Sequence, residues 1–170
     1  MHSSAHEQRT AIAYHEAGHL AIACHYGLPV RAVTVDPTGG DAPHAHAPFP
    51  VTAAATPAAI SFDTLNLITS VLAGGIAEER YTDQLNVDVA EQDYEYAWRL
   101  AIEVADTERA AEALMNWLII RAEQDVTRLW NEVTAIAAIL IEKGTVTPEQ
   151  ARDLGRDADR RRTPRPDASS

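Results

Sequence analysis

The spacing of apolar residues predicts helices over most of the chain. Residues 7–26 place apolar side chains and two histidines at steps of three and four, and Gly27 with Pro29 ends the segment as expected for an α-helix. The same spacing predicts a second helix over 61–82 and a third over 88–105. We therefore expect a mainly α fold.

The C-terminal half continues the helical pattern. Residues 106–142 contain neither glycine nor proline, so they form either one long helix or two helices that meet at a bend. Trp117 is among the apolar positions assigned to the buried side, and Gly144 ends the segment. A further helix is predicted to begin after Thr147, because this residue and Gln150 have the spacing of a capping box.

One stretch between the first two helices has a different pattern. Val33 and Val35 alternate with polar residues, which predicts a short strand over 30–36. Residues 37–57 hold five prolines and two glycines, so we expect a loop there, with at most an edge-strand piece around 49–53. The expected fold is thus helical with a short strand or small sheet after the first helix.

The length of the chain fits one domain. Its 170 residues are enough for a single apolar core, which we expect over 1–155. The remaining residues, 156–170, are polar and proline-containing, which predicts a disordered tail.

The charge balance argues against two classes of partner. The chain has 25 acidic and 14 basic side chains, for a formal net charge of -11. Binding to nucleic acid or to an anionic membrane surface requires a basic face, so we expect neither. The single cysteine, Cys24, cannot form an internal disulfide, and no apolar segment reaches the roughly 18 residues of a membrane span. These features, together with an N-terminus that has no apolar signal core, predict a cytoplasmic protein.

The first predicted helix carries the sequence HEAGH at residues 15–19. His15 and His19 are four residues apart, so their side chains lie on one face of the helix and can bind one metal ion. A catalytic zinc ion has three protein ligands and an open position for water, and Glu16 is placed to take a proton from that water. The apolar neighbours favour a metal site over a chance pattern, because two buried imidazoles would otherwise each need a hydrogen-bond partner.

A third ligand should be a polar residue on an otherwise apolar helix face. Asp93 occupies such a position, between Val89 and Ala97 on the apolar stripe of the third helix. A buried carboxylate is unfavourable unless it is paired or binds a metal. The residues alone leave a metal ligand and a buried ion pair or cap equally open for Asp93.

The segment AIAYHEAGHLAIACHYG resembles the zinc helix of the FtsH-type metallopeptidases, the protease domain of the membrane-bound AAA proteases. Three later segments are similar to that domain in the same order: LAGGIAEER, EQDYEYAWRLAIEV and LWNEVTAIAAILIEKGTVTPEQARDL. The resemblance implies a helical zincin-like protease domain, with His15, His19 and Asp93 as zinc ligands and Glu16 as general base.

The resemblance also bears on neighbouring acidic residues. The family's threonine-glycine-alanine turn before its aspartate is replaced here by NVDVAEQD, which leaves Asp88 as the alternative ligand. Glu78 and Glu79 match a family motif and could orient a ligand histidine, although a solvated helix face is the alternative. Gly74 and Gly75 are expected to let the second helix approach the helices that carry the site.

Together these features predict a zinc-dependent metalloendopeptidase that cleaves unfolded or flexible polypeptides. The chain contains no ATPase module, so it would act on unstructured segments, or else a separate ATPase or adaptor would deliver substrates. A peptide could add as a strand to the short strand over 30–36. The alternative function is a proteolytically inactive zinc-binding scaffold or regulatory module. A third is a helical interaction domain without metal.

Overall fold

The computed structural model describes residues 5–35, 62–84 and 87–162. Within these ranges the chain forms six α-helices and two short strands, in the order α1 (Ala5–His25), β1 (Val33–Thr34), α2 (Phe62–Thr82), α3 (Val87–Ala105), α4 (Glu108–Arg128), α5 (Trp130–Lys143), β2 (Thr145–Val146) and α6 (Pro148–Arg162). The fold is mainly α with a small sheet, as the sequence predicts. Across the described ranges, no helix combines the length and the apolar character that crossing a bilayer requires.

Two apolar clusters form the core, and α1 and α2 contribute to both. The first lies between α1, α5 and the sheet and contains Ala13, Ala17, Leu20, Val33, Val133, Ile136, Leu140 and Val146. The second lies where α2, α3 and α4 meet and contains Ile68, Val71, Ala97, Ala101, Met115 and Leu118. Because α1 is covered on several sides, most of its side chains are buried.

The helical pattern over 106–142 is divided into two helices at Leu129. This residue has φ -101° and ψ 20°, outside the helical range, so the alternative of two helices meeting at a bend is confirmed. Helix α4 begins at a side-chain cap from Thr107. Helix α5 ends at Gly144, whose φ of 76° is left-handed and therefore favours glycine.

The two strands form a small antiparallel sheet. Val33 pairs with Val146 and Thr34 pairs with Thr145. The strand predicted over 30–36 is thus confirmed only at its centre. Strand β2 was not predicted, because two residues between a helix end and a helix cap are too few to show alternation. The loop predicted over 37–57 lies outside the described residues.

The last helix begins as predicted and extends further. The Thr147 amide donates to Gln150 Oε1 at 2.9 Å and the Gln150 amide donates to Thr147 Oγ1 at 3.3 Å, which completes the capping box. Helix α6 continues to Arg162, so the first part of the predicted tail over 156–170 is helical. An ion pair between Asp153 and Arg156, three residues apart, spans the start of this extension. Residues 163–170 lie outside the described ranges.

Trp117 lies on the outside of α4, so its predicted burial is wrong. Its exposed fraction is 51%. Helix α4 instead buries the stripe Ala111, Met115, Leu118, Ala122 and Val126. With about 100° between successive helical residues, Trp117 points away from this stripe. The guanidinium of Arg121 lies 5.6 Å from its ring centroid, on the partly exposed side of the helix.

Helices α1 and α2 approach closely because two glycines face the partner helix. A Cβ atom at Gly18 would lie 2.5 Å from the Ala73 carbonyl oxygen, closer than real contacts allow. A Cβ atom at Gly74 would overlap the His19 imidazole and would lie 2.9 Å from His15 Nε2. The predicted role of Gly74 in close approach is therefore confirmed, and the contact it makes is with the histidines themselves.

Candidate metal centre

The two histidines of HEAGH meet one carboxylate from α3. The Nε2 atoms of His15 and His19 are 2.9 Å apart. Asp93 Oδ2 lies 3.1 Å from His15 Nε2 and 3.2 Å from His19 Nε2. Among the residues that the structure describes, these form the one group of three histidine, cysteine or acidic side chains able to hold a metal ion together.

The triangle of ligand atoms has nearly the size of a tetrahedral zinc site. Zinc binds imidazole nitrogen and carboxylate oxygen at about 2.0–2.2 Å, which places neighbouring ligand atoms about 3.3–3.5 Å apart. The observed separations of 2.9, 3.1 and 3.2 Å are slightly shorter. Small rotations of the three side chains would therefore make room for a zinc ion. The fourth coordination position of the ion, on the side away from these three residues, would remain open for water or substrate.

Contacts on the far side of each imidazole direct its lone pair into the triangle. His15 Nδ1 lies 3.0 Å from Glu78 Oε2, and His19 Nδ1 lies 2.9 Å from the Ser70 carbonyl oxygen. A carbonyl or carboxylate oxygen can only accept, so each Nδ1 donates. When neutral, each ring then presents an unprotonated Nε2 toward Asp93. Ligand histidines in metal sites are oriented by partners of this type.

The site requires positive charge at its centre. With both imidazoles neutral, Asp93 Oδ2 is a buried acceptor without a hydrogen-bond donor among the described residues. Burial lowers the pKa of His15, but hydrogen bonds with Asp93 and Glu78 raise that pKa to about 10. Burial likewise opposes charge on His19, and Asp93 raises the pKa of His19. Burial also raises the pKa of Asp93, but the two histidines hold it well below its usual range. Without a metal, protons on the imidazoles supply this positive charge, and a bound cation would supply it in their place.

Glu16 is buried beside the triangle. Its exposed fraction is 3%, and its Oε2 atom has no hydrogen-bond partner within the described residues. Burial raises the pKa of the Glu16 carboxyl, while His19 and His15 lower it. The free oxygen leaves an acceptor for a water molecule, which a general base needs. The structure thus brings together Glu16 and the three residues that the sequence assigned to the metal.

The remaining predicted residues have different positions. Glu78 is buried and holds His15, whereas Glu79 is exposed. The side chain of Asp88, the alternative ligand, lies outside those that the structure describes. Sequence reasoning missed the Ser70 carbonyl, because a main-chain oxygen leaves no signal in the residue types. Its contact with His19 depends on how α2 packs against α1.

The site is least buried on the side of α3. The side chain of Asp93 is 26% exposed, whereas those of His15 and His19 are each 5% exposed. A water molecule or a substrate would therefore reach the triangle past Asp93.

No family model matches this chain, and no curated protein is similar enough to count as a relative. The assignment of a function therefore depends on the residues of the site and their geometry.

Proposed function

We propose that the protein is a zinc-dependent metalloendopeptidase of the FtsH type that hydrolyses peptide bonds in unfolded or flexible polypeptides. The observation that carries this proposal is the convergence of His15, His19 and Asp93 within 3.2 Å, beside a buried glutamate. Structural zinc sites are normally closed by four protein ligands, whereas hydrolytic sites have three and a position for water. The three ligands here match the hydrolytic type.

The donor set supports zinc as the metal. Two imidazole nitrogens and one carboxylate oxygen suit Zn²⁺, whereas Ca²⁺ and Mg²⁺ prefer sites made of oxygen atoms. When bound, zinc would polarise the scissile carbonyl and lower the pKa of a coordinated water to about 7.

Glu16 would transfer the proton in the reaction. Its free carboxylate oxygen would accept a proton from the attacking water and then deliver it to the leaving amine. Burial raises the pKa of Glu16, which helps it to hold the proton between these two steps. Glu78 and the Ser70 carbonyl would keep both imidazoles in the same orientation throughout.

The order of elements supports a helical zincin-like protease domain. The HEAGH helix α1 is followed by β1, then by α2 against the histidines, then by α3 with the third ligand. One edge of β1 pairs with β2, and the other has no strand partner among the described residues. An extended peptide could pair with that edge through main-chain hydrogen bonds.

The burial of the site supports unfolded substrates. Since both ligand histidines are almost inaccessible, only an extended chain could bring its backbone to them. Delivery of such chains by a separate ATPase or adaptor is compatible with this proposal.

Zinc content and proteolysis test the proposal together. The purified protein is expected to hold one zinc ion per chain by elemental analysis and to cleave unfolded casein. Glu16→Gln should keep its zinc and lose about 10²–10⁴-fold in cleavage rate, because the general base is removed. Glu79→Gln, at an exposed position on α2, is the matched control and should cleave normally. The mechanism would be contradicted if the purified protein bound no zinc, or if Glu16→Gln cleaved casein as fast as the wild-type protein.

The near-complete burial of Glu16 is the observation that favours the alternative function, an inactive zinc-binding scaffold. In that case the wild-type protein would bind zinc and would leave unfolded casein intact. The same assay therefore separates the two functions.

A further inference from the structure

The outer face of α4 carries apolar side chains at the spacing of two helices that pack along each other. Trp117 and Ile120 are 51% and 53% exposed, and Ala113 and Ala110 are exposed one and two turns before Trp117. Steps of three and four residues place all four on one face of the helix. Single exposed apolar residues are common, but an aligned set of them marks an interaction surface.

This outer face is opposite to the face that α4 buries in the core. With about 100° between successive residues, Ala113 and Ile120 lie roughly opposite Met115 and Ala122, which α4 buries. The buried face packs in the cluster that α4 shares with α2 and α3. A partner could therefore cover the outer face without disturbing the core or the metal centre.

Trp117 is held in place on the outer face. The guanidinium of Arg121 lies 5.6 Å from the centroid of its ring. Arg121 is itself fixed, because its Nε donates to the Tyr26 hydroxyl at 3.1 Å and its Nη2 donates to Asn66 Oδ1 at 2.7 Å. An exposed tryptophan that is already oriented loses little side-chain freedom on binding, and tryptophan is typical of the centre of an interface.

The sizes of the four apolar residues fit a second copy of α4. In an antiparallel pair with its two-fold axis level with position 115, Trp117 lies opposite Ala113 of the partner subunit. Ile120 then lies opposite Ala110 of the partner subunit. Each level pairs one large side chain with one small one, which suits the separation of about 8–10 Å between packed helices. A parallel pair would instead place Trp117 against Trp117 of the partner subunit.

The charges beside these residues fit the same arrangement. Arg109 and Glu123 are exposed and lie on the same flank of the apolar face. Among the described residues, neither of them forms an ion pair. A two-fold axis keeps residues of one flank together, so Arg109 lies close to Glu123 of the partner subunit, and the symmetry repeats this pair at the other end.

We propose that the protein forms a homodimer through an antiparallel pair of α4 helices. Trp117 and Ile120 form its centre, and the two pairs of Arg109 with Glu123 of the partner subunit set its orientation. The apolar positions span about 15 Å of helix, which corresponds to a small interface and therefore to a weak, reversible dimer.

Sedimentation equilibrium of the purified full chain tests this proposal. As the protein concentration rises to about 1 mM, the average mass should rise from that of one chain toward that of two. Each chain has a formal net charge of -11, so two copies repel each other over long distances. An ionic strength of about 0.15 M screens this repulsion beyond about 8 Å and is the condition for the measurement.

One variant tests the apolar centre of the dimer. Ala113→Trp should raise the dissociation constant at least about tenfold, because the added ring takes the space that Trp117 of the partner subunit needs. Ala113 is exposed, so the monomer should keep its fold, which circular dichroism checks. The loss of dimer in Ala113→Trp would therefore report on the interface itself.

A charge exchange tests the orientation of the two helices. Glu123→Arg and Arg109→Glu should each raise the dissociation constant about tenfold, because each creates two like-charge contacts in the dimer. The double variant should return to nearly the wild-type value. Glu142→Arg, at an exposed position on α5, changes the net charge as Glu123→Arg does and should dimerise normally.

Each result either supports or overturns the proposal. A dimer that Ala113→Trp weakens and that the double charge variant restores supports it. The proposal is overturned if the wild-type protein stays monomeric up to about 1 mM, whatever else binds α4. It is also overturned if Ala113→Trp dimerises as well as wild type, or if the double charge variant dimerises no better than the single ones. These results do not depend on zinc content or on proteolysis.

Discussion

His15 and Glu78 are joined by a contact of 3.0 Å between Nδ1 and Oε2, although 63 positions separate them in the chain. Both side chains are almost fully buried. The carboxylate keeps the proton on Nδ1, so in the neutral ring the lone pair on Nε2 is directed at His19 and Asp93. The tautomer of one proposed ligand on α1 therefore depends on a residue on α2, and the packing of these two helices determines whether the candidate metal centre is assembled.

Glu78→Gln should weaken zinc binding without unfolding the protein. The glutamine can still accept from His15 but has no charge to increase the basicity of the ring. Loss of such a partner typically lowers metal affinity about 10–100-fold. Competition with a chromogenic chelator measures the change, and the exposed Glu79→Gln is the control. An unchanged zinc affinity for Glu78→Gln would show that the carboxylate does not tune the ligand.

Asp93→Asn should lower the zinc affinity more than Glu78→Gln does. A neutral amide is a poor zinc ligand, so affinity should fall by more than the roughly 100-fold upper limit for an outer partner. Asp88→Asn should bind zinc normally. Zinc retained after dialysis against a chelator gives the comparison. If Asp93→Asn retained zinc normally and Asp88→Asn lost it, the third ligand would be Asp88 and not Asp93.

Gly74→Ala should destabilise the protein and reduce zinc binding. The added methyl would overlap the His19 ring and crowd His15 Nε2, and overpacking of this kind costs about 1–3 kcal/mol. Gly155→Ala is the matched control, since its methyl meets nothing within 4 Å. It should stabilise the protein by about 0.4–1 kcal/mol, because alanine lowers the conformational entropy of the unfolded chain. Urea unfolding measures both, and equal stability of the two variants would contradict the close approach of α1 and α2.

Tyr26→Phe should change how stability depends on pH. The Tyr26 hydroxyl donates to the buried carboxylate of Asp125, and Arg121 Nε donates to the same hydroxyl at 3.1 Å. Burial and the contact with Asp125 raise the pKa of Tyr26 above its usual value of 10. The raised pKa contributes stability that is present below pH 10 and is lost as pH rises through the pKa of the folded state. The unfolding free energy should therefore fall more steeply above pH 10 in the wild-type protein than in Tyr26→Phe. If the two plots of unfolding free energy against pH were parallel, Tyr26 would make no such contribution.

Glu132 is buried in the first turn of α5 with both carboxylate oxygens lacking a partner among the described residues, so Glu132→Gln should stabilise the protein. Removal of a buried charge without a partner relieves a penalty of about 1–3 kcal/mol. Glu142→Gln, on the exposed side of the same helix, should change the unfolding free energy by less than about 0.5 kcal/mol. Thermal and urea unfolding give both values. A loss of stability in Glu132→Gln would show that the carboxylate is already satisfied within the protein.

Local features of the fold could be predicted because each depends on neighbouring residues. The four-residue step from His15 to His19 places both rings on one helix face wherever that helix packs. The capping box of Thr147 and Gln150 and the left-handed end at Gly144 are also complete within a few residues. Such short-range geometry follows from the sequence, and it accounts for these helix boundaries and for two of the three side chains of the triangle.

Other features depend on how distant segments pack. The polar position of Asp93 on an apolar stripe indicated a buried role, but only the docking of α3 brought its carboxylate to the two imidazoles. The Ser70 carbonyl and the outward position of Trp117 left no usable signal, because each depends on which helix faces which. The sequence by itself determined the helices and the donor types that they carry. The tertiary structure decided which donors meet, because distances between helices are set by long-range side-chain packing and by the glycines that permit close approach.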